Sequence, residues 1–237
     1  MRRSWPIDPR NAAEVLACAG IAHLAWRADR EAATGFVTDA GGGVRFLAPE
    51  VPALDDPEAL RLEPVDAAAG TLRLGAVTLD WWRPWGLNPG LKKWAGNQTP
   101  WTVHHSLRTA AADVSPAQWL THCAPAAGRL YLDPGATWTA QALGWSPNRH
   151  TGVRVHCRPW VELLASLGCQ AFPVAGHRAR GGFHYQLWRP APLAAAVAAF
   201  AGPWSAAYAL ARYHATTAKS GENSMLRLAA PVAGGTR

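Results

Sequence analysis

The spacing of apolar residues near the start of the chain predicts a helix over residues 11–32. Asn11 suits the N-cap position, and Glu14 stands three residues later, where the acidic partner of a capping box is found. Gly20 interrupts the apolar stripe, which indicates a close contact with another helix at that point. The stripe itself consists of Val15, Leu16, Ala19, Leu24 and Ala25.

Short apolar runs bounded by turn-forming residues predict several β-strands farther along the chain. Residues 83–97 are rich in Gly, Pro and Asn and are predicted to form a loop that leads into a helix. Strands are predicted in a hairpin at 35–47 and at 72–74, 77–81, 129–132, 152–156, 183–188 and 225–229. Helices are predicted at 100–112, 116–123, 159–168 and 192–213. This irregular alternation favours an α+β fold, in which a mixed or antiparallel sheet packs with several helices, over a doubly wound sheet.

The composition indicates a folded chain rather than a disordered one. Of the 237 residues, 49% are hydrophobic and 16% are charged, which is enough apolar material to build a core. We expect a single compact domain over residues 1–237, within which an N-terminal half, 1–80, differs from a basic, Trp-rich half, 81–237. No apolar run reaches the length of about 18 residues that a membrane span requires, and no signal peptide is recognisable. A cytoplasmic protein without membrane association is therefore predicted.

Basic and aromatic residues are concentrated in the middle of the chain. Residues 1–80 carry 8 basic and 12 acidic side chains, whereas residues 81–189 carry 11 basic and 3 acidic ones. The same middle block holds 10 of the 13 tryptophans. Positive charge combined with flat rings suits a polyanion that also offers bases for stacking, so nucleic acid is the predicted partner. Tryptophans that fill a core, with Lys and Arg as solubilising groups, are the alternative.

The strongest local signal is the run Lys-Lys-Trp-Ala-Gly-Asn-Gln at residues 92–98, just before the predicted helix at 100–112. Lysine ammonium groups bind phosphates, Trp94 can stack on a base, and the amides of Asn97 and Gln98 can read a base edge. The free N–H groups of the helix N-terminus would favour the same phosphates. The alternative is a loop pinned into the core by Trp94, with both lysines in solvent.

Other basic residues are predicted to extend this surface. His104 and Arg108 are one turn apart on the predicted helix and share a face. The strand predicted at 152–156 would place basic side chains of residues 154–158 on one face, and a glycine-containing loop at 177–182 carries two arginines. The full set of predicted nucleic-acid contacts is Arg83, Lys92, Lys93, Trp94, Asn97, Gln98, His104, Arg108, Arg154, Arg158, Arg178 and Arg180.

The chain lacks the motifs of common catalytic and metal sites. It contains no phosphate-binding loop ending in Lys-Ser/Thr, no Gly-x-Ser-x-Gly and no His-Glu-x-x-His. Four acidic residues follow Asp80, too few for the clustered carboxylates of a two-metal nuclease. His-Cys pairs at 122–123 and 156–157 are weak zinc candidates, because adjacent residues seldom ligate one ion. We therefore predict a non-catalytic binding subunit with no metal and no cofactor.

Several segments resemble, in the same order, CRISPR-associated proteins of type I-U systems, now called type I-G. The opening helix at 11–21, Leu-Asp-Trp-Trp at 79–82 and Leu-Lys-Lys-Trp-Ala-Gly-Asn-Gln at 91–98 carry the resemblance. It continues at 143–148, 159–172 and 221–225. Proteins of that family are large-subunit-like components of the Cascade surveillance complex.

The resemblance implies a subunit that binds guide RNA, target DNA or both, beside other Cascade subunits, in antiviral defence. Base pairing would read the sequence, and the protein would hold the backbone. Two alternatives stay open. One is a metal-independent endoribonuclease that processes CRISPR RNA with His104 or His105 as general acid–base. The other is a protein–protein scaffold whose exposed tryptophans bury against neighbours.

Overall fold

The computed structural model describes residues 2–50, 52–94, 98–135, 156–174, 182–203, 206–220 and 223–233. It has the predicted α+β fold, in which helices pack against several antiparallel sheets. The helices are α1 (Ala12–Ala28), α2 (Pro52–Asp55), α3 (Pro100–Ala110), α4 (Pro159–Ala171) and α5 (Leu193–Ala201). Short 3₁₀ turns lie at Pro57–Leu60, Pro89–Leu91 and Pro116–Gln118. Among the described helices, none combines the length and the apolar character needed to cross a membrane.

The described strands pair in antiparallel groups. The first sheet has β3 (Val44–Pro49) between β1 (Arg2–Ile7) and β2 (Gly35–Thr38). The second contains β4 (Leu62–Asp66), β5 (Thr71–Leu74) and β6 (Val77–Leu79) in sequential order. A short ribbon pairs β7 (Ala124–Pro125) with β8 (His156–Cys157). In the last sheet, β10 (Ala209–Ser220) pairs with β9 (Gly182–Trp188), β11 (Asn223–Leu226) and β12 (Ala230–Pro231).

Helices α1 and α4 cross with almost no side chain between their backbones. A Cβ atom placed on Gly20 of α1 would collide with the carbonyl oxygen of Leu164, and one on Gly168 of α4 would collide with that of Leu16. The two glycines therefore let the helices approach to backbone contact. This confirms the close helix contact predicted at Gly20. Most residues of both helices are buried, as expected of helices at the centre of a fold.

The N-terminus of α1 is capped as the sequence predicts. The Asn11 side chain accepts hydrogen bonds from the N–H groups of Ala13 at 3.1 Å and of Glu14 at 3.4 Å. Glu14 departs from the capping-box prediction, because its carboxylate accepts from the N–H group of Asp8 at 2.7 Å. The other carboxylate oxygen lies 2.6 Å from Arg158. The cap is therefore confirmed, while Glu14 serves a different set of partners.

Aromatic side chains join the first sheet, α4 and β9 into one core. Trp188 of β9 is fully buried and packs edge-on against Phe36 of β2, with ring centroids 4.7 Å apart. It also stacks on Phe172, just beyond α4, at 5.2 Å. Such pairs add to the hydrophobic gain from burying large rings. Residues from both parts of the chain, 1–80 and 81–237, contribute to this core.

The helix predicted at 192–213 is wrong in its second half. Helix α5 ends at Ala201 and is followed by Gly202 and Pro203, after which the chain returns as β10 from Ala209. Proline cannot continue the hydrogen-bonding pattern of a helix. The later residues pair with β9 instead, so sheet pairing decides their conformation.

Other boundaries also differ from the prediction. Strand β1 was not predicted, since it is short and polar and contains Pro6, but it pairs with β3 along its whole length. The helix predicted at 116–123 is a 3₁₀ turn, and residues 129–132 are irregular rather than a strand. Most of the strand predicted at 152–156 lies outside the described residues.

We predict that Gly20→Ala and Gly168→Ala each lower the free energy of unfolding by about 1–3 kcal/mol, because the added Cβ would push the two helices apart. Gly41→Ala is the matched control. It lies in the exposed hairpin turn, where a Cβ would meet Asp39 at 3.5 Å, so we expect a change within about 0.5 kcal/mol. Urea unfolding followed by circular dichroism measures these values. Wild-type stability of both helix variants would contradict the close crossing.

Candidate nucleic-acid interface

A groove of about 900 Å³ lies between the β4–β5 turn, the loop after β6 and the N-terminus of α3. We call it the tryptophan groove. Its walls carry three tryptophans and two cations, namely Trp82, Trp85, Trp101, Arg83 and Lys92. The other described lining residues are mostly Ala, Gly and Pro, and none of the described lining residues is acidic. The groove therefore combines flat apolar surface with positive charge.

Trp85 presents most of its ring to solvent and is 74% exposed. The guanidinium carbon of Arg83 lies 5.1 Å from the centroid of that ring, a cation–π arrangement. Nε of Arg83 also donates to the carbonyl oxygen of Ala69 at 3.0 Å, which ties the loop to the β4–β5 turn. A cation held beside an open ring can contact a phosphate while the ring stacks on the attached base.

Two amide side chains fasten the loop after β6 to the C-terminal end of α4. The oxygen of Gln170 accepts from the N–H groups of Asp80 at 2.9 Å and Trp81 at 3.0 Å. The Asn88 amide donates to the carbonyl oxygen of Cys169 at 2.6 Å. Because both partners belong to a buried helix, the core positions the loop that carries the groove residues.

Gly86 lets this loop fold tightly. Its N–H group donates to the carbonyl oxygen of Arg83 at 2.9 Å. A Cβ at this position would lie 2.5 Å from the carbonyl oxygen of Asp80 and 2.7 Å from the carbonyl carbon of Trp81. Any larger residue would have to displace the turn that presents Trp85.

A buried aromatic cluster forms the floor of the groove. Trp82 is 7% exposed, lines the groove and contacts the rings of Trp81, Trp94 and His104. Its centroid distances to them are 5.3, 5.8 and 5.2 Å. The Trp81 and Trp94 contacts are edge-to-face, the geometry that aromatic pairs prefer. The floor is therefore a packed part of the core.

The hydrogen bonds of the buried His104 fix its protonation. The Pro100 carbonyl oxygen, 2.8 Å from Nδ1, can only accept, so Nδ1 carries the hydrogen. Nε2 then accepts from the Ser166 hydroxyl at 2.9 Å, and Ser166 accepts from Nε1 of Trp81 at 2.9 Å. Burial lowers the pKa of His104 to about 4, so the ring is neutral at physiological pH.

These positions correct two of the predicted contacts. Trp94 is 3% exposed and is enclosed by the aromatic cluster, so it offers no ring face to a base. His104 is buried and neutral, so it neither contacts a phosphate nor meets a substrate as general acid–base. His105 is exposed and stacks on Trp101, with centroids 5.1 Å apart.

The other residues of the Lys-Lys-Trp run have separate roles. Lys92 is exposed and lines the groove, with Nζ 5.6 Å from the ring centroid of Trp94. Lys93 is half-buried and donates to the carbonyl oxygen of Gly90 at 2.9 Å, and burial lowers its pKa. Gln98 is half-buried, and its Oε1 has no hydrogen-bond partner among the described residues. Of these three residues, Lys92 is the one that lines the groove.

Arg108 packs against protein groups instead of continuing a cationic stripe from His104. Its Nε donates to the carbonyl oxygen of Leu60 at 3.3 Å, and its guanidinium lies 3.5 Å from the Glu58 carboxylate. The guanidinium carbon is also 5.7 Å from the ring centroid of Trp160. The predicted phosphate contact is corrected to a structural role.

Arg158 is a half-buried cation within an ion-pair network. Its guanidinium lies 2.6 Å from the Glu14 carboxylate and 2.6 Å from that of Asp133. It also donates to the carbonyl oxygen of Leu120 at 3.0 Å, and the side chain is 13% exposed. Removing a partner from such a network leaves an uncompensated buried charge. The prediction that Arg158 contacts phosphate is wrong, because the side chain is only 13% exposed and its guanidinium already binds two carboxylates and a carbonyl oxygen.

The remaining predictions divide into two groups. Arg83 and Lys92 are the predicted contacts that line the tryptophan groove. Another set falls outside the described residues, consisting of Asn97, Arg154, Arg178 and Arg180.

Trp85 and Trp101 are candidate contacts that the sequence pattern did not predict. A usable signal was present at Trp85, which lies in Arg-Pro-Trp-Gly within a predicted loop. A large ring in a loop rich in Pro and Gly has no regular apolar face around it, which favours exposure. Trp101 carries no such signal, because it stands on α3, where exposed residues such as Thr102 alternate with buried ones such as Val103.

Within the described residues, no group of three or more His, Cys, Asp or Glu side chains is arranged to hold a metal ion. The His-Cys pairs considered from the sequence differ in their environments. Cys157 is buried, and burial raises its pKa to about 12, whereas Cys123 is exposed. The Cys157 thiol is therefore protonated at neutral pH.

Comparison of the chain with protein-family models, with curated proteins and with solved structures found no match in any of the three. The geometry of the tryptophan groove is therefore the basis for a functional proposal.

We predict that protonation of His104 opposes folding at acidic pH. Its pKa is about 4 in the folded protein and about 6.5 in an unfolded chain, so the unfolded state binds the proton more tightly. The contribution of His104 to stability is complete above pH 6.5 and is lost as the pH falls towards 4, by up to about 3 kcal/mol.

Urea unfolding of the wild type and His104→Gln at about pH 7.5 and about pH 4.5 tests this sign. The stability difference between the two proteins should shrink on acidification. Glu14 and Glu162, whose pKa values are raised by burial, titrate in both proteins and cancel in the difference. A difference that does not change with pH would show that the buried ring is not the group responsible.

Proposed function

We propose that the chain is a non-catalytic nucleic-acid-binding protein that holds a single-stranded segment in the tryptophan groove. The observation that carries the proposal is the placement of the exposed Trp85 beside Arg83, in a groove that Lys92 also lines. No described carboxylate lines the groove to repel a phosphate. A neutral small molecule would not need two cations at the walls.

Stacking would supply the attraction for bases. Trp85 and the half-buried Trp101 offer ring surface, and stacking of a base on an aromatic ring contributes about 1–3 kcal/mol. Every base has a flat face, so such contacts tolerate any sequence. Bases in a duplex are already stacked and paired, which favours a single strand in this groove.

The resemblance to type I-G Cascade proteins supports a particular setting for this activity. In that setting the chain is a cytoplasmic subunit that contacts guide RNA, target DNA or both, next to other Cascade subunits. Two of the segments that carry the resemblance, 79–82 and 91–98, contribute Trp82 and Lys92 to the groove. Sequence-tolerant contacts fit a complex in which base pairing reads the sequence.

A protein–protein scaffold is the second candidate function, and exposed apolar groups at the groove favour it. Trp85 is 74% exposed and the neighbouring Leu87 is 46% exposed. An apolar interface would persist at high salt, whereas contacts to phosphates weaken as salt rises because binding releases counterions. The endoribonuclease alternative loses support at His104, which is buried, and would depend on His105.

The proposal predicts that Trp85→Ala weakens binding to a short labelled single strand by about 5- to 150-fold, the equivalent of one lost stacking contact. Arg83→Gln should weaken binding and reduce the slope of log affinity against log salt by about 0.7, the value for one phosphate contact on a single strand. Fluorescence anisotropy over a range of salt concentrations measures both effects.

Trp26→Ala and Arg61→Gln are matched controls. Trp26 lies half-buried in α1, Arg61 is exposed, and neither lines the groove. Both should bind as the wild type does. Equal weakening by Trp26→Ala and Trp85→Ala, or binding that does not respond to salt, would refute the groove proposal. Cleavage of repeat RNA in the presence of a chelator, lost in His105→Ala, would favour the endoribonuclease.

A further inference from the structure

A second cluster of polar side chains lies on one face of the sheet formed by β9 and β10, where His184, Arg212 and His214 are half-exposed and Gln186 is buried. His184 and His214 stand directly opposite each other in the antiparallel register, and Gln186 is opposite Arg212. Because side chains alternate between the two faces of a strand, these four project to one side. Phe183, Tyr185 and Leu187 of β9 project to the other side, into the core.

The two imidazole rings stack with their centroids 4.5 Å apart and an interplanar angle of 23°. Gly182 makes room for this arrangement, because a Cβ there would lie 2.8 Å from Nε2 of His214. On the other side of His214, the paired residue of β12 is the small, exposed Ala230. The histidine pair is therefore bordered on these two sides by backbone and a small residue, and both histidines are half-exposed.

Several polar atoms of the cluster lack partners. Among the described residues, Nε of Arg212, Nδ1 of His184 and Oε1 of Gln186 have no hydrogen-bond partner. The described ion pairs do not include Arg212. Gln186 is 1% exposed, and its Nε2 donates to the carbonyl oxygens of Ala199 at 2.8 Å and Gly202 at 2.7 Å. Its Oε1 is a buried acceptor with no partner among the described residues. Buried polar groups without partners cost free energy unless a ligand or water satisfies them.

The groups of the cluster that can carry a charge, Arg212, His184 and His214, can carry only a positive one. Burial lowers the pKa of His184, and the nearby His214 and Arg212 lower it further. No described carboxylate contributes to this shift. The three side chains therefore repel one another whenever an imidazole takes up a proton, and an anion between them would turn this repulsion into attraction.

We propose that Arg212, His184 and His214 form a binding site for a phosphate group. The half-exposed guanidinium can offer its outer N–H groups to two phosphate oxygens, the geometry for which arginine is suited. The imidazoles add one N–H donor each when neutral and a positive charge when protonated. A metal cation is disfavoured here because the guanidinium of Arg212 adjoins the histidines. The site lies apart from the tryptophan groove, and the proposal does not depend on the function of the groove.

Inorganic phosphate is the probe for the first experiment, with the imidazole C–H signals of His184 and His214 followed by NMR. Phosphate should shift both signals along a saturable curve, whereas chloride at equal ionic strength should not. Arg212→Gln should weaken phosphate binding about tenfold, as loss of one charge-assisted contact implies. Arg61→Gln, an exposed arginine in the other half of the chain, should leave the curve unchanged.

The outcomes decide between a site and a general salt effect. Absence of saturable shifts up to about 50 mM phosphate, well above a millimolar dissociation constant, would overturn the proposal. Equal shifts in wild type and Arg212→Gln would overturn it as well. If Arg212→Gln fails to fold, competition in the wild type replaces it, and sulfate should displace phosphate where chloride does not.

A second titration identifies the source of the phosphate. A short single strand that shifts both histidine signals at lower concentration than inorganic phosphate would assign a nucleic-acid backbone to the site. Saturation by inorganic phosphate, with no response to the strand, would assign a free phosphate or phosphomonoester. Either result sustains the phosphate site, and Trp85→Ala, which tests the groove, should leave these histidine shifts intact.

Discussion

The close crossing of α1 and α4 is the constraint on which the rest of the structure depends. Gly20 and Gly168 leave no side chain at the point of contact, so each helix backbone lies against the other. Packing at this density does not adapt to added volume without moving one of the helices. The crossing therefore sets the position of the α4 side chains that contact the loop after β6 and the helix α3, among them Ser166 and Gln170.

The tryptophan groove is built outward from that fixed helix. Ser166 joins Trp81 to His104 beneath the groove, and Gln170 holds the backbone of the loop that follows β6. The exposed ring of Trp85 is thus carried by a loop whose base is tied to the core. An anchored loop loses less conformational freedom on binding than a free one, which leaves more of the stacking energy for affinity.

Features that depend on residues close in the chain, such as helix caps, could be predicted from the sequence. Features that depend on contacts between distant residues, such as the burial of a given tryptophan, could not. The α+β class, the cap at Asn11 and the close contact at Gly20 followed from periodicity and residue type. Trp85 and Trp94 both stand in the loop predicted at 83–97, where the local signal favours exposure of each ring. Yet 74% of Trp85 and 3% of Trp94 are exposed, because burial depends on distant partners. Arg158 illustrates the same limit, because Glu14, one of the two acidic residues that it pairs with, is 144 positions away in the chain.

Crosslinking inside the cell tests the central claim most directly. The chain would be tagged in its native cell, irradiated with ultraviolet light and purified, and the peptides attached to nucleotides would be mapped by mass spectrometry. We expect crosslinks at Trp85 and Trp101, together with Cascade subunits and a uniform short RNA in the purified material. Recovery of the chain free of nucleic acid, or crosslinks confined to surfaces away from the groove, would contradict the account.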